Sequence, residues 1–385
     1  MGFKLRPGTS LFGNVTFTPD EIPPKWLAIS SHIEAEVYLY DMNNLSAQPI
    51  TLSSPDTTSD GGYYGRSIAF AGDKLIVGSP LDDDPWNSGA FYVHDLNDLS
   101  AQPIKIKPSD LESQDEYALK MAANDDKIVI GVDGHDWSGA VYVYDASTLN
   151  FVAKLQPSDN YPFSNRFGTS VAIDGDKIVV GAPKDKVNGT DSGSVYVYNA
   201  NDLSAQPIKL DAPDGATSDL FGKNIAIGSG KIAVGAYGDD DDGATSGSVY
   251  VYNANYLNNQ PTKLTAFDAQ SGDAFGRGVA IGDDTLVVGA YLEDETALNA
   301  GAAYVYDLNS LGTQPTKLTA FDGASNDYFS LESVSINNGK VAISSYKNRT
   351  VYIYDITDLS AQPDTLSEPT KSSFGYKVEI SPAVV

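Results

Sequence analysis

The stretch VYVYN stands at residues 195–199 and again at 249–253, and it occurs seven times in the chain with small changes. The remaining copies are VYLYD (37–41), FYVHD (91–95), VYVYD (141–145), AYVYD (303–307) and VYIYD (351–355). Consecutive copies begin 48 to 54 residues apart. A near-constant period of this size, carried by β-branched and aromatic residues, is typical of a repeat fold and argues against several unrelated domains.

The unit between residues 166 and 210 shows what each repeat contains. Its segments are RFGTSVAI (strand A, 166–173), a DGDK turn, KIVVGAP (strand B, 177–183), a polar loop, SVYVYNA (strand C, 194–200), a second loop and PIKL (strand D, 207–210). The Gly-centred DGDK turn is a hairpin signal, so neighbouring strands are expected to pair antiparallel. Seven such units predict an all-β fold, a seven-bladed β-propeller of four-stranded antiparallel blades. A right-handed solenoid is the alternative, and the hairpins disfavour it.

The two ends of the chain supply one strand A more than seven blades need. Residues 3–17 look like a strand D followed by a strand A, and SFGYKVEI at 373–380 looks like another strand A. In a closed ring, one terminus completes the blade that the other begins, which removes exposed sheet edges. We expect 373–380 to pair with the strands of residues 25–52. Residues 25–385 then form a single propeller and residues 1–24 an N-terminal arm or first strand; the opposite choice leaves the C-terminus free.

The composition excludes several classes of protein. The 385 residues include 51 acidic and 25 basic side chains, a formal net charge of −26 that repels phosphates and predicts no nucleic-acid partner. The chain has no cysteine, which excludes disulfides and thiolate metal sites. It has no run of about 18 apolar residues, so no membrane span is expected. The first residues lack the apolar core of a cleaved secretory signal. Either the protein stays where it is made, or it leaves by a route other than a cleaved signal, such as assembly into a virus particle. A virion or an extracellular surface is favoured over the cytoplasm.

Long, variable loops gather on one face of the expected propeller. Because successive strands alternate in direction, the B–C and D–A loops emerge together, on what we call the acidic loop face, and the A–B and C–D loops emerge opposite. The B–C loops include PLDDDPWNSG (80–89), YGDDDDGATSG (237–247) and YLEDETALNAG (291–301). Binding sites usually lie on variable loops held by a rigid scaffold.

Aromatic and acidic side chains of this face are the candidate binding residues. Trp86 and Trp137 stand in B–C loops, with His135 close by, and exposed aromatics beside carboxylates can stack on sugar rings. The simpler interpretation is that each Trp fills the gap between blades. The acidic candidates are Asp82, Asp83, Asp84, Glu293 and Asp294.

The same loops carry residues that could bind a cation or act as a catalytic pair. Asp239 and Asp241, with carbonyls near Gly243, have a spacing compatible with oxygen ligation of calcium, and a solvated acidic loop is the simpler interpretation. Pairs such as Glu293 and Glu295 have the side chains of glycosidase acids. Nothing in the sequence sets their separation or raises one pKa, so no catalytic residue is predicted.

The phrases SNRFGTSVAIDGDKIVVGAPKDKVNGTDSGSVYVYN (164–199) and SDLFGKNIAIGSGKIAVGAYGDDDDGATSGSVYVYN (218–253) closely resemble FG-GAP repeats. These repeats build the integrin α-subunit β-propeller and occur in many bacterial and viral proteins. The resemblance covers nearly the whole chain and implies a seven-bladed propeller that binds partners. Integrin-type repeats carry an Asp-x-Asp-x-Asp-Gly calcium loop in the A–B hairpin. The hairpins here, such as DGDK at 174–177, are too short to supply six or more oxygen ligands.

Together these observations predict a non-enzymatic adhesion or assembly module that binds a protein partner or a surface glycan through the acidic loop face. A tail- or capsid-associated virion protein, or a surface structural protein, is the expected setting. No cofactor is expected, and calcium is the candidate cation. Two alternatives stay open: a carbohydrate-active enzyme with its site at the propeller mouth, and a calcium-stabilised cell-surface protein.

Overall fold

The computed structural model describes residues 10–11, 15–16, 25–55, 61–82, 88–111, 115, 117–135, 138–157, 165–187 and 191–382. These residues form seven four-stranded antiparallel sheets and one two-stranded pair, which confirms the predicted seven-bladed propeller. A 3-10 turn lies at Gly61–Tyr63, before strand A of blade 2. Within the described part of the chain, no helix is long and apolar enough to cross a membrane.

Each blade consists of strands A to D in that order across the sheet. The pair and blades 1 to 3 contain β1 (Ser10–Leu11), β2 (Val15–Thr16), β3 (Trp26–Ser31), β4 (Glu36–Asp41), β5 (Ile50–Ser53), β6 (Ser67–Ala71), β7 (Lys74–Ser79), β8 (Ala90–Asp95), β9 (Ile104–Ile106), β10 (Lys120–Ala123), β11 (Lys127–Val132), β12 (Ala140–Asp145) and β13 (Phe151–Leu155). Blades 4 and 5 contain β14 (Ser170–Asp174), β15 (Lys177–Ala182), β16 (Ser194–Asn199), β17 (Ile208–Asp211), β18 (Asn224–Gly228), β19 (Lys231–Ala236), β20 (Ser248–Asn253) and β21 (Thr262–Leu264). Blades 6 and 7, and the strand A of blade 1, contain β22 (Phe275–Gly282), β23 (Thr285–Ala290), β24 (Ala302–Asp307), β25 (Thr316–Leu318), β26 (Phe329–Asn337), β27 (Lys340–Ser345), β28 (Thr350–Asp355), β29 (Asp364–Ser367) and β30 (Phe374–Ile380).

The hydrophobic core lies between blades, because strand C is covered on both faces. Val195 and Val197 of blade 4 share a buried cluster with Phe221 and Tyr250 of blade 5. The alternate residues of the same strand, such as Tyr196, share a cluster with the valines of blade 3. Because side chains alternate along a strand, the valines of VYVY face one neighbouring blade and the tyrosines face the other. The tyrosines pack between blades, as predicted.

In the FG dipeptides that the structure describes, the phenylalanine packs against a tyrosine of strand C. The rings of Phe221 and Tyr250 are both fully buried, with centroids 5.4 Å apart and planes at 73°. Phe275 meets Tyr304 in the same way, at 5.4 Å and 69°. Edge-to-face pairs of this kind contribute about 0.5–1.5 kcal/mol each beyond the area they bury. Because the pair recurs around the ring, these contacts together stabilise the packing between blades.

The glycines of the FG and GAP segments form a contact between neighbouring backbones. Gly181 ends the apolar run of strand B in blade 4, and a Cβ there would lie 1.9 Å from the carbonyl oxygen of Gly222 in blade 5. Gly222 has φ +85°, a conformation that glycine adopts without steric cost. The same contact joins Gly131 to Gly168, and Gly235 to Gly276. The glycine of the GAP segment and the glycine of the FG segment therefore form one contact across the boundary between two blades.

The ring closes at blade 1, where β30 pairs antiparallel with β3 and joins Leu27 to Ile380. Glu34, in the turn after β3, accepts hydrogen bonds from the backbone nitrogen of Ser372 at 2.7 Å and the hydroxyl of Ser373 at 3.0 Å. Of the predicted arm at residues 1–24, the structure describes the backbone of β1 and β2, which pair with each other. The rest of that segment lies outside the described residues.

The seven strands A surround a central channel of about 650 Å³. Its wall includes apolar side chains such as Met121, Val171 and Ile225. At the end formed by the A–B hairpins the wall includes Asp125, Asp174 and other polar residues. The opposite end opens on the acidic loop face.

Gly181→Ala is expected to destabilise the propeller by about 3 kcal/mol or more, because the added methyl would overlap a backbone oxygen of the next blade. Denaturant unfolding gives the free energy of unfolding for comparison with the unchanged chain. Gly312→Ala is the matched control, since nothing lies within 4 Å of a Cβ at that position. We expect the control to shift the free energy by less than about 0.5 kcal/mol. Equal effects at the two positions would contradict the contact.

Glu34→Gln is expected to reduce stability at pH 6 and to lose that effect in acid. Burial alone would raise the pKa of Glu34, but hydrogen bonds from Ser31, Ser372 and Ser373 outweigh it and lower the pKa from 4.5 to about 2. A carboxylate of lowered pKa contributes stability that is complete above its ordinary pKa and is lost as pH falls through the folded-state pKa. The melting curves of the two proteins should therefore converge between pH 4.5 and 2. Asp364→Asn, on an exposed edge strand, is the control. Its melting temperature should differ little from that of the unchanged chain.

Candidate functional site

The acidic loop face holds the candidate residues that the structure describes. Asp82, His135, Asp239 and Glu293 are buried, whereas Asp241 and Asp294 are exposed. The remaining candidates lie outside the described residues, namely Asp83, Asp84, Trp86 and Trp137. The described carboxylates belong to three blades: Asp82 to blade 2, Asp239 and Asp241 to blade 5, and Glu293 and Asp294 to blade 6.

Blade 5 shows what the buried carboxylates do. The ammonium of Lys263, on strand D, lies 2.8 Å from Asp239, 2.6 Å from Asp241 and 2.9 Å from Asp214. The hydroxyl of Tyr250 donates to Asp214 at 2.6 Å and contacts Asp239 at 3.1 Å. We call this arrangement the Tyr–carboxylate–Lys cluster. It joins a B–C loop, a D–A loop and two strands.

The cluster recurs in the other blades that carry a lysine on strand D. In blade 6, Lys317 lies 2.6 Å from Asp268, 3.1 Å from Glu293 and 2.6 Å from Glu295. The corresponding partners are Tyr92, Asp82 and Lys105 in blade 2, Tyr142, Asp110 and Lys154 in blade 3, and Tyr196, Asp185 and Lys209 in blade 4.

Sheet register brings the tyrosine and the lysine together. Tyr250 is paired with Lys263, and Tyr304 with Lys317, across the C–D ladder. Directly opposed residues of an antiparallel pair have side chains close enough to interact. The lysine of the PIKL and PTKL segments is the sequence signal for this arrangement, and it was not among the predicted site residues.

Blades 1 and 7, which are neighbours where the ring closes, lack the strand D lysine. Thr51 of blade 1 and Thr365 of blade 7 are paired with the tyrosines of strand C instead. In blade 7 the Tyr352 hydroxyl donates to Asp322 at 2.5 Å. In blade 1, Lys371 lies 2.7 Å from Glu36 and supplies a cation from the segment that precedes β30.

Opposite charges in the cluster hold each other in the ionised state. Burial would lower the pKa of Lys263, but its hydrogen bonds to the three carboxylates outweigh burial and raise that pKa. Burial would likewise raise the pKa of Asp214, but hydrogen bonds from Tyr250 and Lys263 lower it. At neutral pH the cluster is therefore an ammonium enclosed by carboxylates, with limited access to water.

A second set of carboxylates holds the D–A loops. Asp219 accepts a hydrogen bond from the backbone nitrogen of Ala216 at 2.6 Å, and Asp273 from that of Gln270 at 2.8 Å. Burial is the main cause that raises the pKa of both side chains, and nearby carboxylates add to it. These residues fix the loop conformation just before the FG segment of the next strand A.

The clusters account for the positions at which a cation or a glycosidase pair was considered. The Lys263 ammonium contacts both Asp239 and Asp241, the candidate calcium ligands. Lys317 contacts Glu293 and Glu295, the pair considered as glycosidase acids. No group of three or more His, Asp or Glu side chains within the described residues has the geometry to hold a metal ion.

The histidines contact different partners in different blades. His135 is buried in blade 3, with Nδ1 2.8 Å from Asp115 and Nε2 2.7 Å from the Lys154 ammonium. His94 contacts the Tyr64 hydroxyl in blade 2. His135 therefore extends the blade 3 cluster, and its role among the described residues is to link Asp115 to a strand D lysine.

Large apolar side chains are exposed on the loops of the acidic loop face that the structure describes. They are Ile33, Tyr63, Phe267, Leu298 and Phe321, with exposed fractions of 49%, 37%, 52%, 59% and 57%. Phe267 and Phe321 occupy equivalent positions in LTAFD phrases, one blade apart. Their rings contact the buried Tyr304 and Tyr352 edge-on, so the scaffold fixes one edge of each ring.

Comparison with known families agrees with this architecture. The family model of the FG-GAP repeat matches residues 51–94, 149–198, 205–252 and 259–306. Each match includes the strand C segment of one blade, in blades 2, 4, 5 and 6. No curated protein matches the chain.

Lys263→Met is expected to lower stability by about 2–3 kcal/mol at pH 7, because buried Asp239 loses its counter-ion. The deficit should shrink toward pH 4, since an uncompensated buried carboxyl has a raised pKa and becomes neutral sooner. Denaturant unfolding at pH 7 and at pH 4 measures this loss of stability. Lys177→Met removes a lysine from the more exposed Asp176 pair and should change stability by less than about 0.5 kcal/mol. A loss at Lys263 no larger than at Lys177 would refute the proposed role of the cluster.

Proposed function

Because the chain is a seven-bladed propeller in which four segments match the FG-GAP repeat, we propose that it is a non-enzymatic adhesion or assembly module. It binds a protein partner or a surface glycan through the acidic loop face, as a component of a virion or of an extracellular surface. The fold alone does not assign this role, because propellers support many functions. The proposal rests on how the described residues of the acidic loop face are used.

The main support is that the buried carboxylates of this face are counter-ions of lysines. In blades 5 and 6, Lys263 and Lys317 each contact three carboxylates. Glycosidase chemistry needs two carboxyls separated by the scissile bond, one of them with a raised pKa. Glu293 and Glu295 instead share one ammonium, that of Lys317, at 3.1 and 2.6 Å. The clusters therefore favour a rigid binding surface over a catalytic pair.

The exposed apolar residues add the features of an interface. Leu298 lies in the B–C loop of blade 6, and its carbonyl accepts a hydrogen bond from the backbone nitrogen of Asn326 at 2.8 Å. That bond ties the loop to the D–A segment that follows Phe321. Aromatic and aliphatic anchors surrounded by polar residues are typical of protein interfaces, in which a few such residues supply most of the binding energy.

The test is to replace the two equivalent anchors together. The full chain, labelled with a fluorophore, is applied to intact cells and to a glycan array, and retention is measured against protein concentration. Phe267→Ser combined with Phe321→Ser is expected to weaken retention at least tenfold, since both anchors are removed from the surface. Stability should change little, because about half of each ring is in solvent.

Tyr256→Ser is the matched control, because this residue is 66% exposed and lies in a C–D loop on the opposite face. It should leave retention unchanged. Absence of retention on every surface, or equal loss in control and double variant, would overturn the proposal. Turnover of a polysaccharide that disappears when Glu293 is changed to Gln would replace it with the enzyme alternative.

A further inference from the structure

The outermost strand of blade 3 differs from the outermost strands of the other blades. In those six blades a proline stands directly before strand D, namely Pro49, Pro103, Pro207, Pro261, Pro315 and Pro363. Proline has no backbone N–H to donate, and it is one of the residues by which proteins stop a sheet edge from pairing with another chain. In blade 3 the corresponding residue is Val152, which precedes Ala153 as Pro207 precedes Ile208. This strand D is therefore the one of the seven that lacks the proline.

Strand D of blade 3 is also the longest of the seven, and it exposes two large apolar side chains. β13 has five residues, whereas the other strands D have three or four. Phe151 is 55% exposed and Val152 is 47% exposed. The Phe151 ring lies 6.2 and 5.9 Å from the rings of Tyr142 and Tyr144, so strand C supports one part of it. Among the described strands, the sheet of blade 3 ends at β13.

A short turn holds this edge in place. Residues 146–150 connect strands C and D in blade 3, whereas residues 200–207 do so in blade 4. The Asp145 carboxylate accepts hydrogen bonds from the backbone nitrogens of Ser147 and Thr148, at 3.1 and 2.8 Å. The backbone nitrogen of Asp145 bonds the carbonyl of Asn150 at 3.0 Å, which continues the pairing of the two strands up to the turn. An edge that is already ordered costs little conformational entropy when another strand pairs with it.

We propose that the outer edge of β13 binds an extended segment of a protein partner, which joins blade 3 as a fifth strand. Backbone hydrogen bonds supply the pairing, and apolar side chains of the segment pack on Phe151 and Val152. Binding of this kind needs an ordered sheet edge with exposed apolar residues beside it, and β13 has both. The site lies on the outer rim of the propeller, so it is separate from the acidic loop face and does not depend on the proposed function.

Charge and size favour a partner segment over a second copy of this chain. The formal net charge is −26, so two copies repel each other, whereas a basic segment is attracted. Lys154, the basic residue of β13, already contacts Asp110 and His135. Two paired five-residue edges would also bury far less than the ~1,200 Å² of a stable interface between folded proteins. The partner segment is therefore an extended stretch that alternates apolar residues with polar ones and carries lysine or arginine.

A β-bulge near the start of the edge offers another interpretation. The register shifts between Val143 and Tyr144, which leaves Val152 without a paired residue on strand C. Bulges re-aim side chains in some sheets and protect edges from pairing in others. Over residues 153–155 the register is regular, so the ladder continues beyond the bulge. Protection alone does not explain two adjacent large apolar side chains in contact with water, whereas a binding edge does.

The test uses two synthetic peptides of equal charge. One has seven residues, with valine and threonine alternating between two terminal lysines; in the other, proline replaces the three central residues. Each carries a fluorophore, and its binding to the full chain is measured by fluorescence anisotropy. The first peptide is expected to bind about ten times as tightly as the second, or more, because proline does not pair with a sheet edge. Hydrogen exchange of the β13 amides should slow on binding, and that of β17 in blade 4 should not change.

Two variants locate the site. Val152→Pro introduces the residue that stands before strand D in the other blades, and Phe151→Ser removes the larger exposed side chain. Each is expected to weaken binding of the first peptide about fivefold or more. Phe151→Ser remains informative if the proline disturbs the bulge. Ile208→Ser is the matched control, because Ile208 is 47% exposed on strand D of blade 4, where Pro207 precedes it. The control should bind the peptide as the unchanged chain does.

The inference is overturned if neither peptide binds, if the two peptides bind equally, or if both variants bind as the unchanged chain does. A dimer in analytical ultracentrifugation that Val152→Pro dissociates would assign the edge to a second copy and overturn the partner segment. These failures are separable from failure of the proposed function, because retention on cells that depends on Phe267 and Phe321 would persist.

Discussion

The backbone contact between glycines of neighbouring blades is the constraint on which the ring depends. Where Gly181 meets the carbonyl of Gly222, the two backbones approach to a distance at which no side chain fits. This approach sets the spacing at which Phe221 reaches Tyr250 and at which Val195 fills the space beside them. A larger separation would open a gap along each blade boundary, and packing at native density does not tolerate such gaps. The tolerance for sequence change is therefore low at these glycines and high in the loops above them.

The charged clusters show how a strongly acidic protein stabilises one crowded face. In blades 5 and 6, the strand D lysine lies where carboxylates from a B–C loop and a D–A loop converge, so one cation holds two loops. The chain itself supplies the ammonium, at a position fixed by the strand register. The attachment of these loops therefore does not depend on the concentration of a free ion. The consequence is that the acidic loop face combines loops of variable length with fixed attachment points near strand D.

The sequence predicted the blades well because their determinants are local. The alternation of VYVYN and the turn of DGDK act over fewer than ten residues, and each fixes a strand or a hairpin by itself. The clusters were not predicted, because their members are far apart in sequence. Tyr250 and Lys263 are separated by a C–D connection, and Asp214 comes from the preceding blade. Read locally, DDDDG at 239–243 has the appearance of a solvated or metal-binding loop; its counter-ion becomes visible only with the register.

The closure of the ring has a consequence for the order of folding. Six blades are each built from contiguous residues, whereas in blade 1 the backbone nitrogen of Trp26 bonds the Ser381 hydroxyl across 355 positions. Contacts of such high sequence separation form late, after the entropy of a long loop has been overcome. During synthesis, blade 1 is therefore a three-stranded sheet with an open inner edge until the final strand arrives. An open edge is a template for pairing with another chain. Exchange of β30 between two copies is thus the form of misassembly to which this ring is most exposed.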